Sequence, residues 1–404
     1  MNFKLLFRFF IIPVAVMGGI YYIAHHFFQG YSYTKAQADA VFYKHNGHTV
    51  MATIINHFGA YSVVKSTVYG TDSYYAEAMD MHTAKKLWKI KLDAKGKDGK
   101  TFGSALMLGQ SDKYLFMYCN QVYVVDKLTG DIVAQNDYFK DIEAILPNEA
   151  ILDYTDHSKY KWHDSTKSLM INGLDGQVYN INSSTLKTGV YTAKLPDDFF
   201  KLTDKIGKDY NEQISSVYDD GTSCITLLDN KDTANLAHNP DAFLWRPTNQ
   251  SVRRVLYTCP SNNPSAQWTK LNPGVFISGG FLTDPAKLFV QPDDSLKNNK
   301  AYRDLLARNN QINSPMLLGN NGYIIMHKQT TELSAPVILT AVSPKGKTLW
   351  KVNTTYSDLS IMFNDKQSNE LYLCGPKPTD GDEGLREILI INLSSGANNR
   401  IVID

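Results

Sequence analysis

One short pattern recurs along this chain and restricts what it can fold into. Tyr75–Lys89 (YAEAMDMHTAKKLWK), Gln121–Ala134 (QVYVVDKLTGDIVA), Gln177–Val190 (QVYNINSSTLKTGV), Val337–Lys351 (VILTAVSPKGKTLWK) and Glu387–Ile401 (EILIINLSSGANNRI) share one plan. Each is an apolar strand, then a polar turn built on Asp, Asn or Ser with Gly or Lys, then a second strand. A unit of this kind cannot bury its own face and must stack on its neighbours. Further strand signals precede the units, at Lys113–Asn120, Lys167–Gly173, Gly274–Leu282, Gly322–Lys328 and Glu370–Gly375. Four short strands in each stretch of ~40–50 residues describe a β-propeller blade. The turn residues agree, because Asp, Asn and Gly accept the positive φ of tight hairpins.

The turn spacing sets the expected number of blades. Asp80, Asp126 and Asn182 lie 46 and 56 residues apart, and Ser343 and Asn392 lie 49 apart. The 161 residues between Asn182 and Ser343 leave room for two degenerate copies, around Asp229 (CITLLDNKDTANL) and Asp293 (KLFVQPDDSL). The expectation is an all-β, seven-bladed propeller of four-stranded blades, with six to eight as the range. The early strand TVMATIINHF is expected to pair with the last blade and close the ring. The 24 Tyr and 18 Phe suit pleated surfaces. A net charge of +1, from 41 basic and 40 acidic side chains, has no basic stripe behind it and argues against nucleic acid as a partner.

The N-terminus is different in kind. Phe9–Phe28 contains no Asp, Glu, Lys or Arg and has about the ~20-residue length of a membrane-spanning helix. Lys4 and Arg8 precede it, which keeps the N-terminus cytoplasmic and exports the remainder. Residues 1–30 therefore read as an uncleaved signal anchor. A cleaved signal and a secreted chain is the competing reading, weakened by the absence of an A-x-A site in AHHFFQGYSY. Residues 31–47 carry Thr34 as an N-cap ahead of good helix formers and are expected to form a helical linker. The propeller then occupies 48–404.

The two repeats that end in Leu-Trp, DMHTAKKLWK and SPKGKTLWK, resemble the quinoprotein-type (PQQ-like) repeat. In that family the Trp closing one blade docks on the next, and the resemblance gives Trp88 and Trp350 this role. Val133, Val190 and Ile401 stand near the Trp place in three other units. The likeness implies two classes of relative, the quinone-dependent alcohol and glucose dehydrogenases and the non-enzymatic outer-membrane assembly propeller lipoproteins. The dehydrogenases typically place adjacent cysteines beside the cofactor, and this chain has no Cys-Cys pair. Nothing marks a carboxylate and amide set for calcium. The resemblance is therefore closer to the non-enzymatic branch, although that branch is lipid-anchored and this chain has an apolar segment instead. No cofactor and no metal are expected.

Other motifs read more simply as structure. His45 and His48 lack the further ligands of a zinc site. Pro378–Gly384 (PTDGDEG) lacks the length and distal Glu of an EF-hand. Asp197-Asp198 and Asp219-Asp220 read as hairpin turns, and Asp153, Asp156, His157 and His163 as a turn-rich loop; Ser104 has no nucleophile-elbow flanks. Cys119 and Cys374 fit buried apolar strands. Cys224 and Cys259 are left open between free thiols and a disulfide, since sequence does not give their separation. The stretch from about 237 to 311 breaks the rhythm and reads as an insertion, with a helical look at Leu296–Gln311. It carries Trp245, Arg246 and Trp268. Trp and Arg are enriched at binding hot spots, which makes these three the candidate partner surface, against the plainer reading of a small satellite core. The expected function is a membrane-anchored extracytoplasmic scaffold, periplasmic in a Gram-negative cell, for other envelope or membrane proteins. The alternative is a propeller that uses its axial pocket for a small molecule or quinone, as an oxidoreductase or sensor.

Overall fold

A computed structural model describes residues 33–64, 67–92, 105–147, 159–196, 199–200, 214–215, 217–219, 223–229, 253–260, 269–283, 316–319, 322–332, 334–377 and 386–403. These residues are almost entirely β. The first sheet runs β1 (Tyr33–His45), β2 (His48–Val64), β3 (Thr67–Asp80), β4 (Lys85–Leu92) in chain order. The second is β5 (Ala105–Gln110), β6 (Tyr114–Cys119), β7 (Val122–Asp126), β8 (Ile132–Gln135). The third is β9 (Tyr160–His163), β10 (Ser168–Asn172), β11 (Val178–Asn182), β12 (Thr188–Val190).

A larger sheet follows. It contains β13 (Ile214–Ser215), β14 (Val217–Asp219), β15 (Ser223–Asp229), β16 (Arg253–Pro260), β17 (Thr269–Leu282), β18 (Tyr323–Lys328), β19 (Val337–Val342) and β20 (Thr348–Asn353). The last sheet is β21 (Ile361–Asp365), β22 (Glu370–Cys374), β23 (Glu387–Asn392), β24 (Asn398–Val402). All described pairs are antiparallel, and all but β13 with β17 join neighbours in a meander, the topology of a propeller blade. The chain divides into two compact units, residues 1–204 and 205–403.

The eight-stranded sheet is two blades that share β17. Thr269 to Ile277 pairs with β16, and Ile277 to Phe281 pairs with β18. The register slips on both sides, near Leu256 and between Ile277 and Gly280. Such bulges bend a strand and let it pass from one sheet to the next. The described residues thus form six four-stranded units, where the turn spacing predicts seven. The copy expected around Asp229 falls in the β14–β17 unit, with its repeat turn misplaced. Asp229 ends β15, the second strand of its unit, so it does not mark a separate repeat turn. The copy expected around Asp293 lies outside the described residues.

Within each compact unit the cores lie between successive sheets. Val50, Ala52, Ile54, Ala76, Ala78 and Leu92 of the first sheet pack with Leu115, Met117, Cys119 and Tyr123 of the second. Phe116, Tyr118, Val122 and Val124, on the other face of the second sheet, pack with Leu169, Ile171 and Ile181 of the third. Leu339, Ala341 and Val352 pack in the same way with Leu371, Leu373, Leu389 and Ile391. A middle strand buried on both faces loses the alternation of a half-buried strand. That is why YLFMYC and YIIMHK read as continuous apolar runs. The outer strand β4 keeps the alternation, exposing every residue between its buried Trp88 and Leu92 except the half-buried Ile90.

Two expectations are corrected. Residues 31–47 are not a helical linker, because Tyr33–His45 is β1 and pairs with β2 from Tyr33↔Phe58 to His45↔His48. Helix propensity is a weak preference that tertiary pairing overrides. A register shift between Ala36 and Ala40 also hides the strand alternation in the sequence. TVMATIINHF does not close the ring, since it lies in β2, hydrogen-bonded to β1 on one side and β3 on the other. The irregular stretch from 237 to 311 includes two regular strands, β16 and β17. Residues 1–30 and the helical-looking segment Leu296–Gln311 lie outside the described residues. Among the described residues, no helix is long and apolar enough to cross a membrane.

This placement separates two truncations. A chain starting at Tyr31 retains β1 and is expected to give a soluble, β-rich protein with one cooperative melt. A chain starting at His48 loses β1, and with it Val41 and Tyr43, which pack on the core between the first two sheets, and it exposes an edge of β2. Circular dichroism melts should show a markedly lower or non-cooperative transition for the shorter chain. Identical melts would mean that β1 is dispensable.

Candidate functional site: the interblade sockets and the polar turns

Five turns are built alike. The side-chain Oδ1 of Asp80, Asp126, Asn182, Asp365 and Asn392 accepts the backbone N–H groups two and three residues ahead. In all five the residue four positions on has positive φ: Ala84, Gly130, Leu186, Asn369 and Gly396. The N–H of Gly130, Leu186 and Gly396 returns to the carbonyl that opens the turn, at 2.8–2.9 Å. The repeated Asp or Asn is therefore a local turn former, its acceptor consumed by its own backbone.

Two of these turns are sockets. Trp88, on β4, donates its indole Nε1–H to the carbonyl of Lys127 at 2.8 Å. Trp350, on β20, donates to the carbonyl of Leu393 at 2.9 Å. Both acceptors follow the turn-forming Asp126 or Asn392 by one residue, in the next sheet. The ring lies over the turn glycine. A Cβ on Gly130 would stand 2.8 Å from the ring of Trp88, and one on Gly396 would stand 2.6 Å from Trp350. Both indoles are buried, and a buried indole N–H needs a partner. The turn of the third sheet takes no Trp from the second. Val133 stands in its place, and Leu186 occupies the position of the socket glycine; both belong to the core between these sheets.

The sequence missed two parts of this arrangement. Tyr43, on β1, donates its hydroxyl to the same Lys127 carbonyl at 2.7 Å, so two side chains of the first sheet converge on one acceptor of the second. Burial pushes the Tyr43 phenol up to about 12. The buried Lys127 ammonium lies 5.1 Å from the Tyr43 ring, and burial pulls it down to about 8. The other part is Asn272 on β17, whose Nδ2–H donates to the carbonyl of Gly346 at 2.6 Å. A Cβ on Gly346 would meet the Leu271 carbonyl at 2.4 Å, so backbone takes the seat that an indole takes elsewhere. The small Gly in SPKGK was the one available signal for this contact.

The remaining candidates separate clearly. Trp245, Arg246 and Trp268 lie outside the described residues, as do Ser104, Asp153, Asp156, His157 and Pro378–Gly384. His48 Nδ1 bonds Asp80 Oδ2 at 2.8 Å, with the His82 ring 4.9 Å away, while His45 bonds Asn46. Burial pushes the Asp80 carboxyl up, but the bonds from His48, Thr83 and His82 prevail and hold it below the usual carboxylate range. His163 bonds Thr166 locally. No group of three or more His, Cys, Asp or Glu side chains arranged to hold a metal is present among the described residues. Cys119 and Cys374 are buried and neither is in a disulfide.

The chain matches no protein-family model and no curated protein. Solved structures with a similar course include the AtxE2 isopeptidase S527A variant with Astexin3-dC4 bound, at 9% identity and TM-score 0.40. That match covers 92% of this chain, which spans about half (52%) of the isopeptidase. BamB from Moraxella catarrhalis matches at 10% identity and TM-score 0.24, over 89% of this chain and 95% of BamB. The β-propeller domain of the Trilobed protease from Pyrococcus furiosus matches at 11% identity and TM-score 0.29, over 90% of this chain and 98% of that domain. Likeness at this level carries no function.

The sockets predict a matched pair of substitutions. Gly130 and Gly176 both have positive φ, but only Gly130 has a neighbour within 4 Å of the added Cβ. Gly176→Ala should cost only the ~1–2 kcal/mol of the left-handed conformation, and Gly130→Ala about 1–3 kcal/mol more through overpacking. Trp88→Ala should cost ~3–5 kcal/mol. Chemical denaturation measures all three, and equal losses at the two glycines would remove Trp88 from its socket.

A pH dependence follows from His327 on β18. A carbonyl only accepts, so Nδ1–H donates to the Lys328 carbonyl at 3.1 Å, and Nε2 accepts from Thr340 Oγ1 at 3.0 Å. The neutral ring is fully satisfied, and burial pulls it down to about 4. The unfolded chain binds this proton from about pH 6.5 downward. Stability should therefore be complete above about pH 6.5 and fall toward pH 4, by on the order of 2–3 kcal/mol. His327→Gln should flatten that slope in urea titrations run across the interval; an unchanged slope would assign it to other groups.

Proposed function

We propose that this protein is a membrane-anchored, extracytoplasmic β-propeller that serves as a non-enzymatic platform for other envelope or membrane proteins. The observation that carries this reading is the use made of the repeat's polar groups. Turn carboxylates and amides cap their own backbones, and turn carbonyls receive Trp88, Trp350 and Tyr43 from the preceding sheet. Polar chemistry at the repeats is invested in joining rigid blades. Rigid repeats present long insertions on one face, which is often the binding face. The stretch carrying Trp245, Arg246 and Trp268 is the partner surface in this proposal. The apolar segment Phe9–Phe28, with Lys4 and Arg8 before it, anchors the chain with its N-terminus in the cytoplasm. The resemblance of the Leu-Trp repeats to the outer-membrane assembly propellers supports protein partners of the same compartment. Blade closure into a complete ring, with seven blades or with the six described, belongs to the same proposal.

Expression of the full chain in a Gram-negative host tests the reading. The protein should stay in the membrane on alkaline carbonate extraction and become protease-sensitive only when the outer membrane is opened. Extraction into the soluble fraction, or protection in spheroplasts, would refute the anchor or its orientation. Trp245→Ala and Trp268→Ala should leave the melting temperature nearly unchanged and reduce crosslinked partner recovery at least ~30-fold, the equivalent of ~2 kcal/mol. Early melting of both variants would make this stretch a satellite core. Thermal stabilisation by pyrroloquinoline quinone with Ca²⁺ would replace the scaffold with a quinone-binding role.

A further inference from the structure

Cys224 on β15 and Cys259 on β16 are direct partners in the antiparallel ladder. The register runs without a shift from Ser223↔Pro260 to Asp229↔Arg254. Leu227↔Leu256 lies within it, and both leucines are buried in one core. A slip of one residue would turn such side chains to the opposite face, so the core fixes the register that opposes the two cysteines. Opposed residues of an antiparallel ladder have Cα atoms about 4.5 or 5.5 Å apart. Both spacings fall within the ~4.4–6.8 Å that a disulfide spans.

We propose that Cys224 and Cys259 form a disulfide across β15 and β16. The oxidant is a disulfide carrier, either a dithiol–disulfide oxidoreductase or oxidised glutathione. One cysteine thiolate attacks a carrier sulfur, giving a mixed disulfide and releasing the other carrier sulfur as a thiolate. The second cysteine thiolate attacks the protein sulfur of that mixed disulfide. The protein S–S bond forms, the carrier leaves reduced, as the oxidoreductase dithiol or as two glutathione thiols, and two electrons and two protons have passed to it. The other two cysteines take no part. Cys119 and Cys374 are buried, and burial pushes the Cys374 thiol up to about 12, far from the thiolate that exchange requires. The bridge closes the chain segment that contains Trp245 and Arg246 at its root. It thereby constrains the unfolded form of the stretch assigned above to partner binding.

The bond itself rests on the ladder register alone, while its formation in the cell rests on the extracytoplasmic reading. The full chain, purified in detergent and equilibrated with glutathione buffers, is acid-quenched, alkylated and mapped by peptide mass spectrometry. One Cys224–Cys259 bridge is expected, with Cys119 and Cys374 alkylated only after unfolding. Four free thiols at every glutathione ratio, or bridges to Cys119 or Cys374, would overturn the inference. Reduction of the wild type should lower its melting temperature by several degrees and leave Cys224→Ser/Cys259→Ser unaffected. A melting temperature insensitive to reduction despite a mapped bridge would overturn the constraint. The same mapping on cells quenched directly in acid distinguishes the two readings. A bond that forms in glutathione but is absent in cells leaves the disulfide standing and refutes the exported location.

Discussion

The contact on which the rest of this architecture depends is an indole N–H donated to a main-chain carbonyl in the next sheet. A four-stranded meander has two faces and two edges, and stacking alone does not fix how one meander lies on the next. The bonds from Trp88 to Lys127 and from Trp350 to Leu393 supply that direction. Each acceptor belongs to a turn already held by its own Asp or Asn, so the indole meets a preorganised carbonyl. The glycine beneath the ring is then required for two reasons, its positive φ and the space that a Cβ would occupy. Where no indole arrives, Leu186 adopts the same positive φ and fills the space with a side chain. Space for the ring therefore decides the residue at this position more strongly than φ does.

Burial on both faces explains most of what surrounds the sockets. Phe116 and Tyr118 face one interblade core while Leu115, Met117 and Cys119 face the other, on a single six-residue strand. Two polar side chains of β18 are buried together with their partners. His327 retains its neutral form between a carbonyl and a threonine hydroxyl, and Lys328 donates to the carbonyls of Ala335 and Ser357. The neutral His327 lends pH dependence to stability. Glu77, 2% exposed, has the Lys86 and Lys89 ammonium groups at 3.4 and 3.6 Å, which offsets the cost of holding a carboxylate there.

Sequence and structure part where strand identity depends on a partner. Residues 31–47 carry helix-forming types, yet β2 offers them a ladder and the bulge between Ala36 and Ala40 erases their alternation. The shared strand β17 was invisible because membership in two sheets is a property of its neighbours β16 and β18. Asn272 and Tyr43 gave no signal for a comparable reason, since the acceptor of Tyr43 lies in another sheet and that of Asn272 in a turn 74 residues further along the chain. Trp88 and Trp350 did stand out, because Leu-Trp closes two repeats at the same offset from a polar turn.

The sequence by itself determined the blade unit, the polar turn at its centre and the residue types that seat one blade on another. These are local matters, set by apolar runs of strand length and by Asp, Asn and Gly at fixed offsets. Tertiary structure alone decided which strand begins the first sheet, how β17 is divided between two blades and which carbonyl each indole reaches. It also decided that Cys224 and Cys259, separated in sequence by a long stretch, stand opposite each other. The physical reason is common to all four. Hydrogen-bond partners and core neighbours across sheets are chosen by packing, and packing has no fixed spacing along the chain.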